Sequence, residues 1–266
     1  MSKKIGFIGC GNMGSSMLGG LIKSGFSTAD DIIVSTKTEV SAKRLENKFK
    51  VNTTLDNKIV AKEADTLILA VKPYMYKEVI EEIKSELSED KLIITIAAGI
   101  TINNMEEWLG NDSKIIRTMP NTPALVGQAM SAICPNSNIN EDELKYCFKI
   151  FESFGECVQL EEKDFHGFIA LCGSSPAYVF MFIEAMADGA VKLGIPRAKA
   201  YKMASQSVLG SAQMVLETGK HPGELKDMVC SPGGTTIDAV VELEKLGFRS
   251  SVIEAMDKCA DKSKNM

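Results

Sequence analysis

The chain has 266 residues, of which 45% are hydrophobic and 24% charged, and its formal net charge is −5. This is the composition of an ordinary globular protein, and the length favours two domains over a single core. Basic and acidic residues are mixed along the chain without a block of one sign, which argues against nucleic acid or an anionic membrane as the main partner.

The first part of the chain alternates short apolar runs with helix-like segments. The runs have the length of strands and lie at residues 4–9, 31–35, 64–71, 91–97 and 114–120. Apolar residues at helical spacing follow the first run as far as Gly25, and further helix-like segments occupy residues 38–49, 76–87 and 101–109. Strands that are apolar throughout and alternate with helices indicate a parallel sheet covered on both faces.

The pattern changes after Pro120. Residues 129–135 and 155–160 are predicted as added edge strands around a helix at 140–152, and no segment from Asp164 onward has the pattern of a strand. A long helical segment at 164–194 is followed by helices at 197–219 and 235–247 and by a frayed terminal helix. We therefore predict an α/β protein with an N-terminal Rossmann-type doubly wound parallel sheet, residues 1–162, and a C-terminal all-helical dimerisation domain, residues 163–266.

The helical part carries more apolar residues than a domain of about a hundred residues buries by itself. One explanation is a large internal core. A homodimer packed through these helices is favoured, because the segment at 164–193 is apolar on more than one side.

Features of the sequence also bear on its cellular location. No apolar run reaches the roughly 18 residues of a membrane span, and the glycines after the first run come too early for a secretion signal. The seven cysteines are scattered, without a CxxC pair, and only two histidines are present, which argues against disulfides and a metal site. We expect a cytoplasmic protein that has free thiols and no metal and does not bind a membrane.

The first chemical motif is GxGxxG between the first strand and the first helix. Its glycines allow a tight turn, a close approach of a pyrophosphate and close helix packing, while the helix N-terminus faces the negative charge. The motif alone is weak, since glycines also occur in ordinary turns. Its position in a strand–turn–helix unit predicts dinucleotide binding by Gly9, Cys10, Gly11, Asn12, Met13 and Gly14.

The end of the second strand indicates which dinucleotide binds. An NAD site usually has an acidic residue there that holds the ribose hydroxyls. This strand ends in Ser35, Thr36 and Lys37, and hydroxyls with a cation suit the 2′-phosphate of NADP. The alternative is that Lys37 is only a solvated loop residue.

Other strand ends supply further candidate residues, because a ligand lies beyond the carboxyl ends of a parallel sheet. Lys72 suits a phosphate, a ribose or a substrate carboxylate, although a surface lysine before a helix-starting proline is as good an explanation. Small residues at 97–99 allow a flat nicotinamide to lie close. The two prolines of "MPNTP" favour a shaped loop after the strand at 114–120.

A second anion site is predicted in "CSPGGTTIDAV", residues 230–240. The amides of Gly233, Gly234 and Thr235 and the hydroxyls of Thr235 and Thr236 are able to hold a small carboxylate at a helix N-terminus. A plain threonine N-cap is the simpler explanation. Such a cap does not require the preceding Pro-Gly-Gly.

The sequence resembles the pyrroline-5-carboxylate reductase family over nearly its whole length. The resemblance is carried, in order, by "FIGCGNMG", "AVKP", "IAAGI", "RTMPNTP", "GSSPAY", "ADGAVKLGIPR", "HPGELKDMVCSPGGTTI" and "GFRS". "SPGGTTI" is the most specific of these segments and GxGxxG the least.

The resemblance implies NAD(P)H-dependent reduction of an imino acid, pyrroline-5-carboxylate, to L-proline. It also implies a Rossmann domain, a helical domain that dimerises, larger rings of dimers, and an active site where one subunit's Rossmann domain meets the helical domains of the dimer. Beyond the glycine loop and Ser35, the family's cofactor contacts correspond to Asn57, Ala70, Val71, Lys72, Pro73, Ala97, Ala98 and Gly99. The substrate carboxylate is assigned to Ser231, Gly233, Gly234, Thr235 and Thr236.

Two positions depart from the family pattern. Ser175 replaces a glycine found in many relatives, and Met228 stands where some have asparagine.

A protonated imine is already electrophilic, so the chemistry depends mainly on positioning. Thr236 is the candidate catalytic residue, as a hydroxyl that orients the ring nitrogen.

Two other functions fit parts of the sequence. The 3-hydroxyacid dehydrogenases also join such a glycine motif to a helical domain, but they place a catalytic lysine early in the first helix of that domain, and the corresponding segment here has no lysine. A non-catalytic dinucleotide sensor needs only the phosphate loop, which leaves "SPGGTT" without a role.

Overall fold

The structure, a computed structural model, describes residues 3–265. Within that range the strands are Ile5–Ile8 (β1), Ile32–Ser35 (β2), Asn52–Thr54 (β3), Thr66–Leu69 (β4), Leu92–Thr95 (β5), Lys114–Met119 (β6), Ala129–Pro135 (β7) and Gly155–Gln159 (β8). They form one sheet in the order β3-β2-β1-β4-β5-β6-β7-β8. The first six are parallel, β7 is antiparallel to β6, and β8 is parallel to β7.

The helices that connect the strands are Asn12–Lys23 (α1), Glu39–Phe49 (α2), Asn57–Glu63 (α3), Tyr76–Ile83 (α4), Ile102–Leu109 (α5) and Glu141–Glu152 (α6). They cover both faces of the sheet. The apolar sides of α1, α2 and α6 form a buried cluster with one face, and those of α3, α4 and α5 form a second cluster with the other. The predicted doubly wound α/β fold is therefore confirmed.

The C-terminal part is helical, as predicted. Its helices are Phe165–Phe168 (α7), Ser175–Lys192 (α8), Arg197–Thr218 (α9), Pro222–Val229 (α10), Thr235–Lys245 (α11) and Phe248–Lys264 (α12). The long segment predicted at 164–194 is interrupted: a π-helical stretch at Ile169–Gly173 follows α7, and α8 begins after Ser174. Pro176 lies in the first turn of α8, where the missing N–H costs no hydrogen bond.

By its internal contacts the chain divides into two compact units, Met1–Gly173 with Ala260–Met266, and Ser174–Cys259. The terminal segment is tied to the first unit by Ser263, whose buried hydroxyl lies 2.9 Å from His166 Nδ1. The domain boundary predicted after residue 162 stays a prediction.

The second unit has large exposed apolar side chains. In it α8 and α9 pack against each other, while Phe180, Met181 and Leu216 are exposed by 64%, 68% and 84%.

One helical stretch of the described chain, Glu162–Lys192, is long and apolar enough to cross a membrane by length and composition, and 11% of its most apolar part is buried. One such helix is weak evidence of a membrane span.

Candidate active site

The carboxyl ends of β1, β2 and β4 meet at the point where the strand order reverses. The chain passes from β1 outward to β3 and returns on the other side of β1 as β4, which creates the crevice where open α/β sheets bind ligands. The strand ends are tied together, since Ala70 N donates to Ile8 O at 2.9 Å and Gly9 N donates to Ser35 O at 3.0 Å. The predicted segments 9–14 and 70–73 therefore lie side by side.

The three glycines of the loop occupy different environments. Gly9 has φ +77°, and a Cβ there would lie 2.7 Å from Val71 Cγ1 and 3.1 Å from the Ala70 carbonyl carbon. A Cβ on Gly14 would lie 3.2 Å from Ala70 Cβ, whereas one on Gly11 would meet no atom within 4 Å. Gly9 and Gly14 thus permit close packing, while the space over Gly11 is open to a ligand, which fits the pyrophosphate of a dinucleotide.

The N-terminus of α1 is prepared for an anion. Gly11 is its N-cap, no side chain caps it, and its first turn has no acidic residue, so the first amides of the helix have no acceptor from the described residues. The partial positive charge of the helix end is therefore not neutralised from within the described chain. Burial raises the pKa of the Cys10 thiol beside this loop, so that Cys10 remains protonated near neutral pH.

The three residues that end β2 differ in what they offer to a ribose. The Ser35 hydroxyl is buried and donates to Phe7 O at 3.4 Å, so this residue reaches the glycine loop through its backbone. Thr36 Oγ1 donates to Thr38 O at 3.1 Å, and the Lys37 side chain is exposed. No carboxylate belongs to this group.

Asn57 and Lys72 lie at helix starts. Asn57 is the first residue of α3, and its Nδ2 donates to Glu82 Oε2 at 2.8 Å. Lys72 is exposed and precedes a short 3₁₀ turn that begins with Pro73. Their assignment to the cofactor, like that of the other site residues, stays a prediction.

Buried hydroxyls, which the sequence analysis did not identify, join the ends of β4, β5 and β6. Tyr76 Oη donates to Leu69 O at 2.5 Å, Thr95 Oγ1 donates to Tyr76 Oη at 3.0 Å, and Thr118 Oγ1 donates to Thr95 O at 2.9 Å. The network holds Leu69, the residue before Ala70, and Ala97 N donates to Thr95 Oγ1 at 3.4 Å, so the hydroxyls connect the starts of both loops. The feature of the sequence that could have indicated this network is Tyr76, a tyrosine on the apolar side of α4, because a buried phenol needs a hydrogen-bond partner.

The loop after β6 is held by Asn121. Its Oδ1 accepts from Met130 N at 3.0 Å, and its Nδ2 donates to Cys172 O at 2.9 Å. Asn121 is buried, and hydrogen bonds in such surroundings of low dielectric constant are stronger than in water. The loop "MPNTP" is therefore shaped by a side chain as well as by its prolines.

The segment before α11 forms a tight turn. Gly234 N donates to Ser231 O at 3.0 Å, with Pro232 second in the turn and Gly233 third at φ +67°, the arrangement of a type II turn. A Cβ on Gly234 would lie 3.1 Å from Ser231 O. Gly233 and Gly234 are therefore required by the turn itself. From the sequence, these glycines were interpreted only as part of an anion site.

The threonines, in contrast, are not caps. Gly234 is the N-cap of α11, no side-chain hydrogen bond caps this helix, and Thr235 and Thr236 are its first two residues. Neither hydroxyl has a hydrogen-bond partner among the described residues. The simpler explanation, a threonine N-cap, is thus wrong, and α11 presents amides and hydroxyls that are free to bind an anion.

A doubly wound sheet with a glycine loop at its switch point defines the class of dinucleotide-dependent oxidoreductases. The family model for pyrroline-5-carboxylate reductase dimerisation matches residues 162–266, and that for NADP oxidoreductase, coenzyme F420-dependent, matches residues 4–99. The pyrroline-5-carboxylate reductase of Escherichia coli is 53% identical over 266 residues, which cover 100% of this chain and 99% of that protein.

Solved structures agree. The pyrroline-5-carboxylate reductase of Coxiella burnetii has a TM-score of 0.92 at 36% identity, with 100% of this chain and 98% of that chain covered. The Plasmodium falciparum pyrroline carboxylate reductase, a structure with NADP bound, has a TM-score of 0.90 at 34% identity, with 99% and 97% covered. The chain belongs to the pyrroline-5-carboxylate reductase family.

Proposed function

We propose that this protein reduces 1-pyrroline-5-carboxylate to L-proline with NAD(P)H, the last step of proline biosynthesis. The observation that carries the proposal is the free start of α11, where two threonine hydroxyls and the first helix amides have no partner among the described residues. A dinucleotide sensor has no use for such a site. Family membership supports the same substrate.

The residues of the glycine loop would hold the dinucleotide. The open space over Gly11 and the amides of the first turn of α1 suit the pyrophosphate. The small side chains of residues 97–99 suit a flat ring. When bound, the reduced nicotinamide supplies a hydride. The hydroxyl network around Tyr76 keeps the ends of β4 and β5 fixed relative to each other.

The residues of α11 would bind and orient the substrate. Its carboxylate accepts from the amides of Thr235 and Thr236 and from their hydroxyls, at the positive end of the helix. A new C–H bond forms at the imine carbon, the C=N π electrons move to the protonated nitrogen, and the ring becomes a neutral amine that takes a proton from water. Thr236 orients the ring nitrogen, and the reaction needs no further acid.

NADPH is the proposed cofactor over NADH. The support is the end of β2, where Thr36 and Lys37 stand and no carboxylate is present to hold the ribose hydroxyls. The exposed Lys37 is free to reach a 2′-phosphate.

Self-association through the helical unit is also proposed, as a homodimer and as a ring of dimers. The exposed apolar side chains of α8 and α9 support it, because a surface of this kind is typical of an interface. Light scattering on a size-exclusion column measures the oligomer number.

The seven cysteines lie within the described residues and form no disulfide, which fits the predicted cytoplasmic location.

The test of the function is NADPH oxidation by the purified protein given racemic pyrroline-5-carboxylate, with NADH in parallel and proline measured as product. Turnover that is faster with NADPH is the expected result. If the folded protein binds NADPH yet produces no proline with either cofactor, the reductase assignment is wrong and a sensor is favoured. Consumption of only half of the racemate serves as an internal control for an enzyme that selects one configuration.

A further inference from the structure

A cleft of about 210 Å³ lies beside the glycine loop, between the start of α1, one side of α2 and the segment after β6. Asn12 and Met13, the first residues of α1, form one wall. Arg44 and Lys48, one turn apart on α2, form the opposite wall. Among the described residues that line the cleft, none is acidic.

Arg44 reaches across this cleft to the glycine loop. Its Nη2 donates to the carbonyl oxygen of Cys10 at 3.3 Å, a long hydrogen bond. No carboxylate of the described residues forms an ion pair with Arg44. A guanidinium has five N–H donors, so most of its capacity for an anion is unused.

The electrostatics of the cleft favour an anion. The N-terminus of α1 is itself partly positive, and placing cations there is unfavourable unless a negative group is present. Burial raises the pKa of the Cys10 thiol, while its hydrogen bond with Ser15 and the charges of Arg44 and Lys48 act to lower it. The hydrogen bond from Arg44 to Cys10 O places one of these two positive charges at the loop.

We propose that Arg44 binds the pyrophosphate that NADP and NAD have in common, from the α2 side of the glycine loop. This inference rests on the proposed function, since it requires a dinucleotide on that loop. The guanidinium lies at Cys10, between Gly9 and Gly11, where the pyrophosphate is expected, whereas the 2′-phosphate is expected beyond Thr36 and Lys37. Lys48 adds charge to the same cleft without a hydrogen bond to the loop.

The experiment is titration calorimetry of NADP⁺ and NAD⁺ with wild type, Arg44→Met and Lys43→Met at low and moderate salt. Lys43 is the matched control, because it is an exposed cation on the same helix and does not line the cleft. Arg44→Met is expected to weaken both dinucleotides by the same factor, about tenfold, which is the contribution of one charge-assisted hydrogen bond. The loss should shrink at higher salt, and Lys43→Met should bind as wild type does.

Four results would overturn the inference. If Arg44→Met loses affinity for NADP⁺ alone, Arg44 contacts the 2′-phosphate. If Lys43→Met loses as much affinity as Arg44→Met, the effect comes from the net charge of the protein and not from a contact of Arg44. Unchanged affinity in Arg44→Met, with an active wild type, removes Arg44 from the site while the proposed function stands. If wild type binds neither dinucleotide, both the inference and the proposed function fail. Thermal unfolding confirms that each variant is folded.

Discussion

Replacing single glycines by alanine separates the packing role of Gly9 from the binding role of Gly11. Gly9→Ala forces a Cβ into φ +77° and to 3.1 Å from the Ala70 backbone. The left-handed conformation costs about 1–2 kcal/mol and the crowding about as much again. Gly11→Ala meets no atom within 4 Å and loses at most about 1 kcal/mol as a poorer N-cap.

The free energy of unfolding is therefore expected to fall by about 2–4 kcal/mol in Gly9→Ala and by less than about 1 kcal/mol in Gly11→Ala. NADP⁺ binding is expected to weaken at least about tenfold in both, because in Gly11→Ala the new methyl fills the space of the pyrophosphate. Denaturant unfolding without ligand measures the first quantity, and calorimetry with NADP⁺ measures the second.

Gly25→Ala is the matched control for backbone strain. Gly25 has φ +75° and a Cβ there meets no atom within 4 Å, so the control carries the conformational cost without the crowding. It should lose about 1–2 kcal/mol and bind NADP⁺ normally. The reasoning is refuted if Gly11→Ala binds NADP⁺ as tightly as wild type, or if Gly9→Ala loses no more stability than the control.

Three further changes are predicted. Tyr76→Phe leaves Leu69 O and Thr95 Oγ1 short of a partner and costs about 1–2 kcal/mol in denaturant unfolding at pH 7. Burial raises the pKa of Tyr76, so its contribution is present below about pH 10 and is lost above it, and the difference from Tyr76→Phe should narrow at alkaline pH. Thr236→Val should raise the KM for the imino acid or lower kcat with unchanged melting, and wild-type kinetics would exclude Thr236 from the site. Lys37→Met should raise the KM for NADPH about tenfold and leave NADH unchanged, whereas equal effects would contradict a 2′-phosphate contact.

The fold was predictable where burial leaves a pattern in the sequence. The strands β1, β4 and β5 are buried on both faces and are therefore continuous apolar runs. The strand β3 has three residues, Asn52–Thr54, and is only partly buried. Neither this strand nor the seven-residue α3 was predicted from the sequence. Short polar elements of this kind are positioned by their neighbours, and their own residues carry no periodicity.

The candidate site was predictable as a set of segments but not as a set of atoms. Strand ends in a parallel sheet lie at one edge, so residues 9–14, 70–73 and 97–99 could be assigned together. The direction of the Ser35 hydroxyl and the reach of Arg44 depend on rotamers and on neighbouring elements, which no spacing encodes. In "SPGGTT" the assignment of the substrate carboxylate stays a prediction, and the structure shows that the glycines form the turn and the cap while the threonine hydroxyls are free.

The two regions share a chemistry that suits the proposed reaction. Both present backbone amides without a side-chain cap at the start of a helix, α1 in one unit and α11 in the other, and α11 adds two neutral hydroxyls. Cys10, the thiol of the glycine loop, is kept protonated by burial, which raises its pKa. Groups of this kind do not exchange protons near neutral pH, so they bind charge without supplying acid or base. An iminium substrate needs only this, because it carries its own electrophilic carbon, and the protein has to fix the carboxylate and the ring relative to the hydride donor.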